Sequence, residues 1–272
     1  MSQNILITGA NGNVARMMRP MLLARYGSLV VSDRAPVTQL APGECDRTAA
    51  LGDPAAVIAA CKGIDAILHL GGQSVEATWD IVNEANIQGA VNLFEAARIQ
   101  GVKRVIFASS NHAVGMYSRA CKINAREKVR PDSRYGLSKA FGEALGALYA
   151  DKYGLRVLSI RIGNVAEVPA DERRLSIWLH PDDMFQLCVI GFEHPDLHNE
   201  IVFGASNNIR TFWDNETAFR LGYRPAHQAE DHAAHALAEQ ADIAADPTAD
   251  ALHGGGFGAE DFAGDLDRTL WN

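Results

Sequence analysis

Tyr135-Gly-Leu-Ser-Lys139 sets a phenol and an ammonium four residues apart. On a helix that spacing brings both side chains to one face. A free phenol titrates near about 10, too high for a base at neutral pH. A neighbouring ammonium favours the phenolate and lowers that value. Tyr135 is therefore a candidate general base and Lys139 its electrostatic support. Upstream, Phe107-Ala-Ser109-Ser110 closes an apolar run, and Ser110 is the candidate to hydrogen-bond the reacting oxygen. Base help of this kind contributes about 10²–10⁴ in rate. A bare tyrosine–lysine pair also occurs on ordinary solvated helices, so its weight comes from its context.

That context begins at Thr8-Gly9-Ala10-Asn11-Gly12-Asn13-Val14-Ala15, which follows an apolar run and opens a helical one. Glycine lets the backbone turn tightly and approach a pyrophosphate, and the helix start supplies free N–H groups and partial positive charge. Asp33 follows about 20 residues later, where an acid receives a ribose 2′-hydroxyl and repels a 2′-phosphate. The reading is a dinucleotide site for NAD rather than NADP. Arg34 beside it is the group that tolerates a phosphate.

Stepping from these residues to what must hold them, apolar strands alternate with helical stretches. Asn4–Thr8, Ser28–Ser32, Asp65–Leu70, Val102–Ser109 and Arg156–Ile162 read as strands. Asn13–Tyr26, Pro54–Cys61, Trp79–Gln100 and Tyr135–Tyr153 read as helices. Buried strands alternating with helices predict an α/β fold, a doubly wound parallel sheet of Rossmann type. After Gly163 the rhythm weakens. Pro181–Gly191 and Glu216–Leu221 fit helices, Glu200–Gly204 a strand, and His227–Ala244 an acidic, Ala-rich helix. The expected division is residues 1–162 for nucleotide and catalysis and 163–272 for a small substrate-binding lobe and acidic tail, together one compact unit.

These pieces resemble the short-chain dehydrogenase/reductase superfamily, in its extended, sugar-acting branch. The matching segments are Thr8-Gly9-Ala10-x-Gly12, His69-Leu70-Gly71-Gly72, Asn86 before Gly89-Ala-Val-Asn92, Ser109-Ser110, and Tyr135-Gly-x-Ser-Lys139 with Phe141-Gly142-Glu143. Narrower features are similar to uronate dehydrogenases: Gly71-Gly-Gln-Ser74, Ser109-Ser-Asn-His112, Arg130-Pro-Asp132, Arg173-x-Leu-Ser-x-Trp178, Asp182-Asp183 and Gly254–Phe257. The resemblance implies oxidation of C1 of a cyclic hexuronic acid with NAD, giving an aldaric acid lactone. It implies Gly9, Asn11, Gly12, Asn13, Val14, Asp33, Arg34, Leu51, Leu70, Gly71, Gly72, Asn86 and Lys139 around the cofactor. It implies Ser74, Ser110, Asn111, His112, Tyr135 and Asn164 around the sugar, with Arg173 on its carboxylate. It also implies a homo-oligomer through the helices at 79–100 and 135–153.

Three positions depart from the family pattern. Ala50 stands where extended members keep an acid beside the adenine, which leaves Leu51 and backbone groups to form that pocket. Asn164 stands where relatives carry a smaller serine. Residues 45–50 look inserted or shifted. A neutral-aldose dehydrogenase on the same scaffold, or a dinucleotide sensor without turnover, are the competing readings. The retained tyrosine–lysine pair speaks against the sensor.

Charge and cysteine usage exclude other classes. The net charge is −8, yet residues 225–272 carry ten of the 33 acids and only one of the 25 bases. The body is near neutral and has no basic stripe for nucleic acid. No apolar run reaches the roughly 18 residues a membrane span needs. The chain passes from Met-Ser-Gln-Asn directly into the first strand, which reads as lacking a signal peptide. Cys45, Cys61, Cys121 and Cys188 are widely spaced, as in a reduced, cytoplasmic protein rather than a disulfide or zinc framework. His194 and His198 flank Pro195 without a third ligand, and His180 and His227 read as structural and solvent-facing. No metal is expected.

Overall fold

The computed structural model describes residues 3–271. Short, β-branched and aliphatic runs become strands because both faces are covered, and all four residues of β1 (Ile5–Thr8) are buried. The sheet adds β2 (Leu29–Ser32), β3 (Glu44–Asp46), β4 (Ala66–His69) and β5 (Arg104–Ser110). A two-residue strand, β6 (Ile123–Asn124), precedes β7 (Arg156–Ile162), and two more, β8 (Asn164–Val165) and β9 (Trp178–Leu179), precede β10 (Asn199–Gly204). The seven-stranded order is β10-β7-β5-β4-β1-β2-β3. β1 pairs in parallel with β2 and β4, β2 with β3, and β4 with β5. The order reverses between β1 and β4, the switch point where such sheets receive ligands at strand carboxyl ends. The expected doubly wound α/β fold is present. The edge strand β3 overlaps the start of the 45–50 region that reads as shifted, and residues 47–50 follow as irregular chain.

Helices α1 (Asn13–Tyr26), α2 (Pro54–Ala60), α3 (Trp79–Val82), α4 (Gly89–Gln100), α5 (Arg134–Tyr153), α6 (Arg174–Ile177) and α7 (Pro181–Glu193) connect the strands. The helix expected over 79–100 is interrupted by a π-helical stretch, Asn83–Gln88. An extra residue in the turn rotates Asn86 inward, and it is 6% exposed. Such bulges concentrate at functional sites. Near the chain's end Gly255 adopts φ 63 before the single turn Gly256–Ala259.

Two compact units interleave along the chain rather than splitting at 162/163. The first gathers 1–108, 141–159 and 188–200, and the second 109–140, 160–187 and 201–272. The reason is covalent: β5, β7, β10, α5 and α7 each begin in one unit and finish in the other. The first unit buries Leu6, Ile67, Leu93, Phe94, Val105, Phe107 and Val157 in one cluster. The second has a cluster of Val114, Ile123, Ile177, Phe203, Phe212 and Trp213, and another around Trp178 and Ala236. Phe203 and Trp213 stack at 4.7 Å.

Candidate active site

In the first unit, the chain leaves β1 through Gly9 at φ 69, a region that L side chains rarely adopt. A Cβ there would lie 2.7 Å from the Gly71 nitrogen, so glycine is required twice over. Thr8 ties the turns after β1 and β4 together: its hydroxyl contacts His69 Nδ1 at 2.7 Å and accepts from the Gly71 N–H at 3.2 Å. α1 then starts at Gly12 with no side-chain cap and no acid in its first turn. The N–H groups of Asn13 and Val14 are thus left to an anion. Asp33, directly after β2, accepts from the Asn11 N–H at 3.0 Å and the Arg34 N–H at 2.7 Å. Its oxygens keep further lone pairs for ribose hydroxyls, and the Arg34 side chain is exposed. Leu51 packs on the turn: its side chain closely limits Gly71 and Gly89, and its carbonyl accepts from Asn92 Nδ2 at 2.7 Å. This cradle fits a dinucleotide: an uncapped helix start for the pyrophosphate, an acid for the ribose and an apolar wall.

Asn86, expected at the cofactor, holds the loop after β4. Its amide accepts from the Gln73 N–H at 2.7 Å and donates to the Gln73 carbonyl at 3.0 Å. It therefore fixes the backbone that carries Leu70, Gly71, Gly72 and Ser74. Gly72 sits at φ 129 against the Asn86 oxygen. Ser74 belongs to this first unit and is exposed.

The second unit assembles the remaining site residues. Ser133 caps α5, accepting from the Gly136 N–H at 2.9 Å, and so sets Tyr135 and Lys139 on the first turns. Gly136 lets this turn meet the strand-end segment, because a Cβ there would collide with the His112 carbonyl. The Lys139 ammonium lies 5.4 Å from the Tyr135 ring centre. Burial pushes the Tyr135 phenol up to about 12, with a Ser110 hydrogen bond opposing and the Asp132 charge adding to the rise. Burial pulls Lys139 down to about 8. The phenol thus moves opposite to the depression expected from Lys139, because desolvation is the largest effect on both groups.

Ser110 ends β5, and its hydroxyl accepts from the His112 N–H at 3.2 Å, starting a 3₁₀ turn at Asn111–Val114. His112 Nδ1 meets Asp132 Oδ2 at 2.7 Å. The His112 ring stacks on Phe257 at 4.1 Å, and Phe257 stands edge-on to Tyr135 at 6.1 Å. Arg173 Nε and Nη2 both donate to the His253 carbonyl, at 3.1 and 2.7 Å. In the amide orientation its neighbours select, Asn111 accepts from Arg173 Nη2 and donates to the Ile162 carbonyl, both at 3.1 Å. Nearby Asp171 is paired to Arg174 instead. Arg173 is drawn down to about 10, first by desolvation and then by Arg119 and Arg174. Asn164 starts β8 and pairs with Trp178 of β9.

Comparison with known proteins agrees with this geometry. Residues 5–176 match the NAD dependent epimerase/dehydratase family. Uronate dehydrogenase of Pseudomonas putida is 42% identical over 254 residues, covering 93% of this chain and 94% of that one. The chain belongs to the uronate dehydrogenase family. Glucuronic acid dehydrogenase from Chromohalobacter salexigens shares its structure with a TM-score of 0.92 at 39% identity, covering 98% of this chain and 99% of that chain. A variant of uronate dehydrogenase from Agrobacterium tumefaciens, complexed with NAD, superposes with a TM-score of 0.90 at 37% identity over 94% and 97% of the two chains. As a uronate dehydrogenase family member, the chain is an NAD-dependent oxidoreductase acting on a CH–OH group. Sequence reasoning missed three of its supports. Asp132 orients His112, Phe257 stacks on it, and the His253 carbonyl docks Arg173. Asp132 and the Gly254–Phe257 run are visible as motif pieces, but nothing in a string shows that they converge. Gly115 and Gly254 are the signal in hindsight, since a Cβ at either would collide with the Asp132 carboxylate.

Proposed function

We propose that the chain oxidises C1 of a cyclic hexuronic acid, such as glucuronate or galacturonate, to the corresponding aldaric acid lactone. The observation that carries this reading is Arg173. It is a partly buried cation whose Nε and Nη2 donate to one backbone carbonyl and one amide, while Asp171 is paired to Arg174 and Asp132 to His112. With Nε and Nη2 engaged, Nη1 is the donor turned to an anion, and a carboxylate oxygen makes a charge-assisted hydrogen bond there. The C6 carboxylate of a uronate is that anion. A charge-assisted hydrogen bond is worth about 1.5–3 kcal/mol, enough to separate uronates from neutral aldoses.

NAD supplies the hydride acceptor. Tyr135, as phenolate, takes the anomeric hydroxyl proton while the C1 hydrogen leaves as hydride, so C1 becomes a carbonyl and, with the ring oxygen already bonded to it, the product is the lactone. Ser110 orients the hydroxyl. Lys139, whose ammonium lies 5.4 Å from the Tyr135 ring centre, supports the phenolate. Asn111 and His112 receive sugar hydroxyls, with Ser74 and Asn164 as further sugar contacts. His112 is suited to accept, because its Nδ1 faces Asp132 and leaves Nε2 for the ligand. The soluble substrate is a small sugar acid, and pairing of chains through the α3–α4 and α5 helices belongs to the same proposal, as does a cytoplasmic setting. No helix of the described residues is long and apolar enough to cross a membrane.

The test is a panel of glucuronate, galacturonate, glucose, galactose and arabinose with NAD or NADP, followed by absorbance of reduced cofactor. Turnover of both uronates with NAD, at least tenfold above neutral aldoses in kcat/KM, is expected. Equal rates on uronates and aldoses would overturn the carboxylate grip, and tight NAD binding without turnover would favour a sensor.

A further inference from the structure

Arg173 grips a carbonyl, and that carbonyl has to be aimed. The His253 carbonyl belongs to a stretch that meets the 115–121 loop in antiparallel fashion, with a bridge between Ser118 and Leu252. The peptide before His253 is held at both ends. Its carbonyl, on Leu252, accepts from Arg119 Nε at 2.9 Å, and its N–H donates to the Tyr117 carbonyl at 2.8 Å. The peptide after His253 donates its N–H to the Gly115 carbonyl at 2.8 Å. In a planar trans peptide the carbonyl points opposite to the N–H. The His253 carbonyl is therefore turned away from Gly115 and onto Arg173.

Arg119 ties this stretch down. Besides Leu252, it reaches the Ala249 carbonyl, to which Nη2 donates at 2.7 Å, and its own N–H donates to the Ala251 carbonyl at 2.8 Å. These carbonyls lie at the end of the short helix Pro247–Ala251. The last carbonyls of a helix lack intrahelical partners and carry partial negative charge. A planar guanidinium serves two of them at once, in a way that the point charge of an ammonium does not. Arg119 and Arg173 thus grip the consecutive carbonyls of Leu252 and His253. Their nearness also shows in Arg119 being, after desolvation, the charge that lowers Arg173 most. The His253 ring anchors the same point. It is fully buried, stacks on Phe212 at 4.0 Å and donates from Nε2 to the Cys121 carbonyl at 3.1 Å.

We propose that Arg119 is a positioning residue for uronate recognition, acting through the 249–253 stretch to hold the His253 carbonyl on Arg173. The proposal rests on the carboxylate-binding role given to Arg173 above. Arg119 touches no substrate in this role. Without its two side-chain bonds the Leu252 and Ala249 carbonyls are freed, and the stretch gains freedom at the point where Arg173 docks. An anion binding at Arg173 must then order that stretch as well, which weakens binding. Tyr135 and Lys139 keep their own supports on α5, and the nucleotide cradle lies in the other unit. The loss therefore falls on KM for uronates and spares kcat.

The test is steady-state kinetics of full-length Arg119→Met with NAD on glucuronate, galacturonate and glucose, beside the parent. KM for both uronates should rise about tenfold, the size of a lost hydrogen bond, with kcat, glucose turnover and NAD affinity unchanged. Added to Arg173→Met, the same substitution should lower uronate kcat/KM no further than about twofold, because the two residues act as one unit. Hydrogen exchange of the Gly254 amide reads the brace without any sugar and should quicken about tenfold. Thermal melts establish that each variant folds. Arg119→Lys keeps the charge and one donor, and should show the same split at about threefold. With the parent's uronate preference intact, an unchanged uronate KM, an equal loss on glucose, unchanged amide exchange or full additivity with Arg173→Met overturns the role of Arg119 alone. A parent that turns over uronates and glucose alike overturns the reading of Arg173, and this role with it.

Discussion

The nucleotide cradle and the catalytic cluster are built on opposite economies. The cradle is made mainly of backbone: Gly9, Gly71 and Gly72 let turns approach, and Thr8, Asp33, Asn86 and Asn92 spend their side chains holding main chain. Its polar groups are largely satisfied before ligand binds. The catalytic cluster is made of side chains that burial has pushed away from their ordinary charge states. Tyr135 is raised, while Lys139 and Arg173 are lowered. The lesson is that the first region recognises by shape and the second holds electrostatic strain that a charged ligand relieves.

The contrast breaks most severely at Tyr135. Tyr135→Phe should lower kcat by about 10²–10⁴ while calorimetry shows NAD affinity unchanged; retained turnover would remove the proposed base. Next comes the cradle: Gly9→Ala meets both a positive φ and the Gly71 backbone. It should weaken NAD binding at least tenfold and lower stability by about 1–3 kcal/mol, measured by calorimetry and denaturant unfolding. Arg173→Met should lower kcat/KM for uronates by about 10–150-fold, the equivalent of 1.5–3 kcal/mol, with neutral aldoses unaffected. A uniform loss on both substrate classes would assign Arg173 to folding instead.

Lys139→Met sharpens the comparison from the stability side. The Lys139 value falls from 10.5 to about 8 in the folded chain. Between those values the unfolded chain binds more protons, so this group makes stability rise with pH from about 8 to 10.5 and its penalty is full below 8. The substitution should therefore abolish most activity yet stabilise the protein at pH 7 by up to about 3 kcal/mol, read as a higher unfolding midpoint. It should also flatten the rise above pH 8. The smallest effect is expected at Asp132→Asn, which loosens His112 and should cost about tenfold in kcat/KM without moving NAD affinity.

The same division explains what was legible in the amino-acid string. The glycine turn, Asp33 and the strand–helix rhythm depend on local backbone demands, and they sit where expected within a residue or two. Arg156–Ile162 and Asn13–Tyr26 match in full. The π turn at Asn83–Gln88 was not legible, because helical periodicity continues through it while only the inward hydrogen bonds of Asn86 require the extra residue. The interleaving of units was hidden for a related reason: hydrophobic pattern marks where a helix lies, not which core each half of it joins. The convergence of Tyr135, Lys139 and Ser110 was readable, but not their charge balance. For Arg173 that balance depends on the charge of Arg119 and the docking carbonyl of His253, both more than fifty residues away in sequence.

The carbonyl of His253 has a consequence in time. Synthesis runs from the amino end, so every stretch of the cradle's unit has emerged once residue 200 is made, whereas the group that docks Arg173 emerges more than fifty residues later. A nascent chain halted before residue 252 possesses the elements that grip a dinucleotide and lacks the brace that aims its guanidinium. On the proposed role of Arg173, discrimination among sugars is the last capability the growing polypeptide acquires.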